Sequence, residues 1–198
     1  IADAEHAELA TKAAIAMQEE AVRLNQRLLA RNWPTLAIGV GVNTGQMRVG
    51  DMGSKIRRAY TVMGDAVNLG SRLEGITKTY GVGVIVGPQT KAAFPEMTFQ
   101  ELDAVKVKGK NEPVSIFAPV GETNRLDADT LSSVEKWSEM LQAFRAQNWK
   151  QARNLLGEIQ SNVVLNPTLR HLYGHRMDYF EANPPAEGWD GVTQFDTK

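Results

Sequence analysis

The sequence predicts an α+β fold, a mixed and mainly antiparallel sheet carrying helices, followed by a small all-α C-terminal hairpin. Three patterns predict it: apolar residues recur at helical spacing over residues 5–31, alternate at a two-residue period over 36–42, and return to helical spacing beyond Gly121. With 198 residues and 42% hydrophobic content, the chain can bury a real core as one domain, or as one domain with a modest appendage.

Leu9, Ala13, Met17, Ala21, Leu24 and Leu28 recur every three or four residues with no Gly or Pro between them, which predicts an amphipathic helix stopped by Asn32, Trp33 and Pro34. Leu36, Ile38, Val40 and Val42 then alternate with Ala37, Gly39, Gly41 and Asn43, a strand whose small face must lie against something close. Turn chemistry at Asn43, Thr44 and Gly45 predicts a hairpin in which residues 46–50 return as the second strand. A polar loop over 51–58 precedes a short strand at 60–63, a break at Gly64 and Asp65, and a helix over about 66–79 that Asp65 is expected to cap. Residues 81–86 read as a buried strand and 89–94 as a short helix. Residues 99–107 read as a strand pairing antiparallel with 114–120 across a turn.

A composition change after Gly121 divides the chain into residues 1–121 and 122–198, with 122–130 as a linker. Trp137, Leu141 and Phe144 form one helical stripe and Ala152, Leu155, Leu156 and Ile159 another, a pair resembling a single tetratricopeptide-type hairpin. The end, with Pro184, Pro185, Trp189, Asp190 and Gly191, reads as an extended strap. Trp137 and Trp149 are expected to anchor the core of the hairpin. His171 and His175 stand four residues apart without an accompanying carboxylate motif, so surface or packing roles are expected rather than a metal pair.

Composition excludes several functions. Lys+Arg 22 against Asp+Glu 23 leaves a net charge of -1, which provides no electrostatic ground for a nucleic acid or an anionic membrane as the main partner. The absence of cysteine removes disulfide frameworks, zinc ribbons and thiol catalysis. No run approaches the ~20 apolar residues of a spanning helix. The chain opens at Ile1 directly into a helical pattern, as expected of a piece of a longer protein.

Chemistry concentrates in two places. On a helix, Asn68 and Arg72 lie one turn apart on one face, beside the apolar stripe of Leu69, Leu73 and Ile76. A guanidinium fork matches phosphate oxygens and an amide can orient a ribose oxygen, so the pair suits charge building on a phosphoryl group. Such pairs are also common on solvated helices, and spacing alone favours that plainer reading. Lys108, Gly109 and Lys110 form a turn in which two ammonium groups flank a flexible residue, suited to a polyphosphate but equally to a soluble hairpin tip. The loop over 51–58, with Lys55, Arg57 and Arg58, carries the same two readings.

Taken in order, EHAELATKAAIAM, IGVGVNTGQMRVGDMGS, YTVMGDAVNLGSRLEG and ELDAVKVKGKNEPVSIF resemble the catalytic domain of the class III nucleotidyl cyclases, the adenylyl and guanylyl cyclases, over residues 5–121. The resemblance implies a ferredoxin-like catalytic domain and, in a bacterial adenylate cyclase, conversion of ATP to cyclic AMP and pyrophosphate for second-messenger signalling. It implies that Asn68 positions the ribose and Arg72 stabilises the α-phosphate under attack by the 3′-hydroxyl. Lys108 would hold the terminal phosphates, with Lys110 its neighbour in that role. Thr61 falls where the family reads the purine; Cys is expected there in a guanylyl cyclase, so Thr61 points to ATP.

The family uses two divalent ions, Mg²⁺ or Mn²⁺, held by two aspartates. Those aspartates and a purine-reading lysine are expected upstream of the first helix, so no metal ligand is assigned here. Asp3, Glu5 and Asp65 lie outside the family's metal motif. The resemblance further implies a head-to-tail homodimer with active sites at the interface, where Asn68 and Arg72 act on nucleotide held largely by the other subunit. The tail resembles the C-terminal extension of bacterial cyclases with a membrane-anchored sensor upstream, which implies a cytoplasmic domain of an anchored parent. Two other readings are a guanylate cyclase and a catalytically inactive cyclase-homology module that regulates or dimerises.

Overall fold

The computed structural model describes residues 4–53, 58–107 and 112–195. Helix α1 (His6–Leu29) buries Ala7, Thr11 and Ala14. Its Gln18 and Asn25 hold the segment that follows. The Gln18 amide donates to the carbonyls of Ile38 and Gly83 at 3.1 and 3.0 Å, and Asn25 both donates to and accepts from the Leu36 backbone at 2.8 and 2.9 Å. These side chains satisfy a backbone that has no ladder partner, so strand β1 (Val40–Val42) is shorter than the alternation predicts.

The expected hairpin does not form. β1 pairs parallel with β4 (Val84–Val86), whereas β2 (Arg48–Gly53) pairs antiparallel with β3 (Arg58–Met63) in a separate two-stranded ribbon. The turn residues explain the difference. Asn43 Nδ2 donates to the Ala66 carbonyl at 2.9 Å, and a Cβ on Gly45 would lie 2.6 Å from Ala66 Cβ. They thus tuck the chain beneath the next helix instead of reversing it along β1.

Helix α2 (Asp65–Gly75) is separated from the single turn α3 (Thr77–Tyr80) by Ile76, where one helix was expected. Gly64 takes the capping position and Asp65 is the first helical residue, so Asp65 is not the expected cap. The small face of β1 receives this helical segment. A Cβ on Gly41 would meet Gly70 O at 2.1 Å and Glu74 N at 2.5 Å, and one on Gly39 would meet Thr77 Oγ1 at 2.2 Å.

After α4 (Pro88–Ala92), β5 (Met97–Val107) and β6 (Val114–Glu122) form the expected antiparallel pair, irregular between Glu101 and Asp103. The main sheet runs β1-β4-β6-β5-β7. It is mixed, and alternate residues of β4 feed two apolar clusters. Val84 and Val86 join Ala14, Phe94, Phe99 and Phe117, while Ile85 joins Leu69, Leu73 and Ile116.

That second cluster continues into the C-terminal residues. β6 runs to Glu122, the first residue of the expected linker, one 3-10 turn follows, and Asp127 caps α5 (Ala128–Arg145) by accepting from Thr130 N at 2.6 Å. Trp137, Met140, Leu141 and Phe144 of α5, with Ala152 and Leu156 of α6 (Trp149–Glu158) and Tyr173 and Met177 of α7 (Pro167–Ala182), belong to the same buried cluster as Leu73 and Ile85. Residues on both sides of Gly121 therefore share one core. The strap ends as β7 (Thr193–Phe195), parallel to β5. Trp137 is fully buried and Trp149 packs on Phe144 and Phe180, as core anchors do. His171 and His175 are exposed, with ring centroids 6.3 Å apart.

Candidate active site

Burial of Leu69 and Leu73 sets the rotation of α2 about its axis. The close approach of Gly70 to Gly41, with the Asn43 hydrogen bond to Ala66, sets its height over β1. On this helix Asn68 is exposed and Arg72 half-buried. Neither side chain hydrogen-bonds or ion-pairs with another described residue. An amide and a guanidinium one turn apart, with their donors unspent, suit a ligand with ribose and phosphate oxygens.

Thr61 lies on β3 opposite Gly50 of β2. It is exposed, and a Cβ on Gly50 would meet nothing within 4 Å, so the hydroxyl borders open space. Thr61 precedes α2 by a few residues, and its side chain makes no hydrogen bond to Asn68 or Arg72. Lys108 and Lys110 lie outside the described residues, as does the basic stretch Lys55 to Arg57. What is described is the frame of the lysine turn, with Val105 opposite Val114 in the ladder leading to it.

Among the described residues, no group of three or more His, Asp or Glu can hold a metal ion. No chemical step here runs through a metal. Asp3 lies outside the described residues. A cavity of about 630 Å³ opens between α1, residues 36–39 and α3, lined by Gln18, Asn25, Leu36, Thr77 and Lys78, and includes no predicted site residue.

Sequence reasoning missed a buried polar centre. Asp103, 1% exposed, accepts at Oδ2 from the Tyr80 hydroxyl (2.8 Å), Arg176 (2.7 Å) and Thr193 Oγ1 (2.8 Å), while its Oδ1 accepts from Ala104 N (2.8 Å). Burial, then the neighbouring Asp103 charge, push the Tyr80 hydroxyl pKa far up. Burial works against the Arg176 charge, but the Asp103 carboxylate together with Tyr173 and Tyr80 more than offsets it, so the pKa is raised. The available signal was a carboxylate inside an otherwise alternating strand, since such a charge needs partners.

The family model for the adenylate and guanylate cyclase catalytic domain matches residues 2–118, more than half of the chain, and the chain belongs to that family. It is 38% identical over 122 residues to Adenylate cyclase 1 of Rhizobium meliloti (strain 1021), a match covering 61% of this chain and 18% of that protein. It is 35% identical over 116 residues to Adenylate cyclase of Anabaena cylindrica, covering 54% and 23% respectively. The chain thus spans about a fifth of the length of these curated relatives. Among solved structures, the guanylyl cyclase Cya2 superposes with a TM-score of 0.51 at 29% identity, over 60% of this chain and 61% of that one. A bacterial light-regulated adenylyl cyclase does so with a TM-score of 0.52 at 23% identity, over 70% and 40%, which shows the fold. The mixed sheet with its helices is that of the class III cyclases.

Proposed function

We propose that this chain supplies most of the catalytic domain of an adenylate cyclase, which converts ATP to 3′,5′-cyclic AMP and pyrophosphate in second-messenger signalling. The 3′-oxygen bonds to the α-phosphorus, the bond from that phosphorus to the bridging oxygen breaks, and pyrophosphate leaves with its electron pair; the hydroxyl proton passes to solvent. Asn68 orients the ribose. Arg72 donates to the α-phosphate oxygens, where charge grows in the transition state, and Lys108, with Lys110 beside it, holds the terminal phosphates. Class III cyclases use divalent ions, Mg²⁺ or Mn²⁺, which would supply charge neutralisation at the phosphates. Thr61 reads the purine and favours ATP.

The observation that carries this reading is the pairing of Asn68 and Arg72 on one helix, with no described residue hydrogen-bonding or ion-pairing with either side chain. Homodimerisation is supported by the β2–β3 ribbon. Val49, Val62 and Tyr60 share one of its faces at 55%, 41% and 75% exposure, an apolar strip of the kind a second subunit covers. The test is cyclic nucleotide formation by the full-length protein with Mg²⁺ or Mn²⁺, offered ATP or GTP, beside its Asn68→Ala and Arg72→Ala variants. Cyclic AMP that falls by about 10²–10³-fold in both variants is the expected result. Preference for GTP would favour the guanylate cyclase reading, and nucleotide binding without turnover the regulatory-module reading.

A further inference from the structure

The segment after β1 that does not reverse, residues 43–47, is packed against the start of α2. Asn43 lies half-buried between two elements. Its Nδ2 donates to the Ala66 carbonyl at 2.9 Å, and its Oδ1 stands 2.1 Å from where a Cβ on Gly87 would fall. Gly87 N in turn donates to the Val42 carbonyl at 2.9 Å, so the backbone on which the amide rests is itself tied to β1. The next residue is braced from α4, where the buried Thr90 hydroxyl donates to Thr44 Oγ1 at 3.1 Å. Two steric contacts complete the seat: a Cβ on Gly45 would lie 2.6 Å from Ala66 Cβ, and one on Gly64 would lie 3.1 Å from Gln46 O. The glycines limit how near the two segments come, whereas the Asn43 bond gives their approach a direction.

The anchored carbonyl belongs to the helical turn that carries Asn68. Ala66 is two residues before it, and the Val67 and Asn68 amides both donate to Gly64 O, at 3.1 and 3.2 Å. The Asn68 side chain has no hydrogen-bond partner among the described residues, so the backbone of this turn sets where its amide stands. We propose that Asn43 is a positioning residue for the cyclase reaction: by holding the Ala66 carbonyl it fixes the first turn of α2 and, through it, the Asn68 amide that orients the ribose. This rests on the role proposed above for Asn68. A small displacement of an orienting group costs rate more than binding, because the reacting oxygen then no longer meets the phosphorus in line.

The experiment uses the full-length protein with Asn43→Asp, which keeps the shape of the side chain but removes the donor, and with Asn43→Ala. Each is made alone and in the Asn68→Ala background. Asn166→Ala is the control, since Asn166 likewise donates to a backbone carbonyl, that of Tyr80 at 3.2 Å, and caps α7 through Leu169 N at 2.9 Å. For each, kcat and KM for ATP are measured beside hydrogen exchange at the Val67 and Asn68 amides. Both Asn43 variants are expected to speed exchange there and to lower kcat about 10-fold with KM within about twofold. In the Asn68→Ala background the same changes should lower kcat less than about twofold, because the group they displace is gone. Asn166→Ala should leave kcat unchanged. If Asn43→Asp does not fold, Asn43→Ala, which adds no charge, carries the same comparison. An Asn43 effect of full size in the Asn68→Ala background overturns the proposal, as does an unchanged kcat in Asn43→Ala or an equal loss in Asn166→Ala. Absence of turnover in the parent would instead be a failure of the cyclase reading, and unchanged exchange at Val67 and Asn68 in the Asn43 variants would then still overturn the anchoring.

Discussion

Asn68 and Arg72, the proposed site residues, contribute little to the fold. One is exposed and the other half-buried, and neither makes a hydrogen bond or ion pair with another described residue. Removal of either side chain should leave thermal stability within about 0.5 kcal/mol of the parent while lowering turnover by about 10²–10³-fold, a separation that melting curves and cyclic AMP assays measure together. Tyr80 shows the reverse. Its hydroxyl is buried against Asp103, and its pKa is raised from an ordinary value of 10. Above pH 10 the unfolded chain releases a proton that the folded chain retains, so the folded state loses stability as pH rises beyond that value. Thermal melts from pH 8 to 11 should fall steeply in the parent and less steeply in Tyr80→Phe.

At the scale of elements, the packing of α2 against β1 depends on glycine for reasons of distance. A Cβ on Gly41 would stand 2.1 Å from a backbone oxygen and 2.5 Å from a backbone nitrogen of α2, neither of which can rotate away. Gly41→Ala should therefore cost at least about 1–3 kcal/mol and push α2, with Asn68 and Arg72, off β1. Gly50→Ala on the β2–β3 ribbon meets nothing within 4 Å and should leave stability nearly unchanged, although it narrows the space beside Thr61. Denaturant unfolding of the two variants provides the comparison. The failed hairpin belongs to this scale as well. Asn43-Thr44-Gly45 has the composition of a reversing turn, but its side-chain amide bonds to Ala66, more than twenty residues on, and that contact is absent from any local pattern.

For the whole molecule, the governing fact is one buried cluster spanning Leu69 to Met177. Cyclase-family residues and the extension should lose structure together. Trp137 is fully buried among them, and Trp137→Ala is expected to destabilise by about 3–5 kcal/mol. Hydrogen exchange should then show protection falling in β5 as well as in α5; loss confined to α5 would mean that the two regions unfold independently. The apolar strip of Val49, Val62 and Tyr60 is the molecule's other large-scale feature. Tyr60→Asp should weaken self-association in sedimentation experiments, with activity falling in parallel if sites form between subunits.

The sequence by itself determined the long first helix, the β5–β6 pair, the helix carrying Asn68 and Arg72, and the helical character of the C-terminal residues. Each rests on local periodicity and turn chemistry, which act over a few residues. It also determined the family, because ordered motifs at Asn68, Arg72 and the lysine turn are read without knowing where they lie in space. Tertiary structure decided the pairing of β1 with β4 instead of β2, the seating of Gly41 against α2, and the joining of the extension to the cyclase core. The physical reason is distance along the chain: the close approach of Gly41 to Gly70 and hydrogen bonds such as Asn43 to Ala66 and Asp103 to Arg176 join residues far apart in sequence, and periodicity carries no record of a partner that distant.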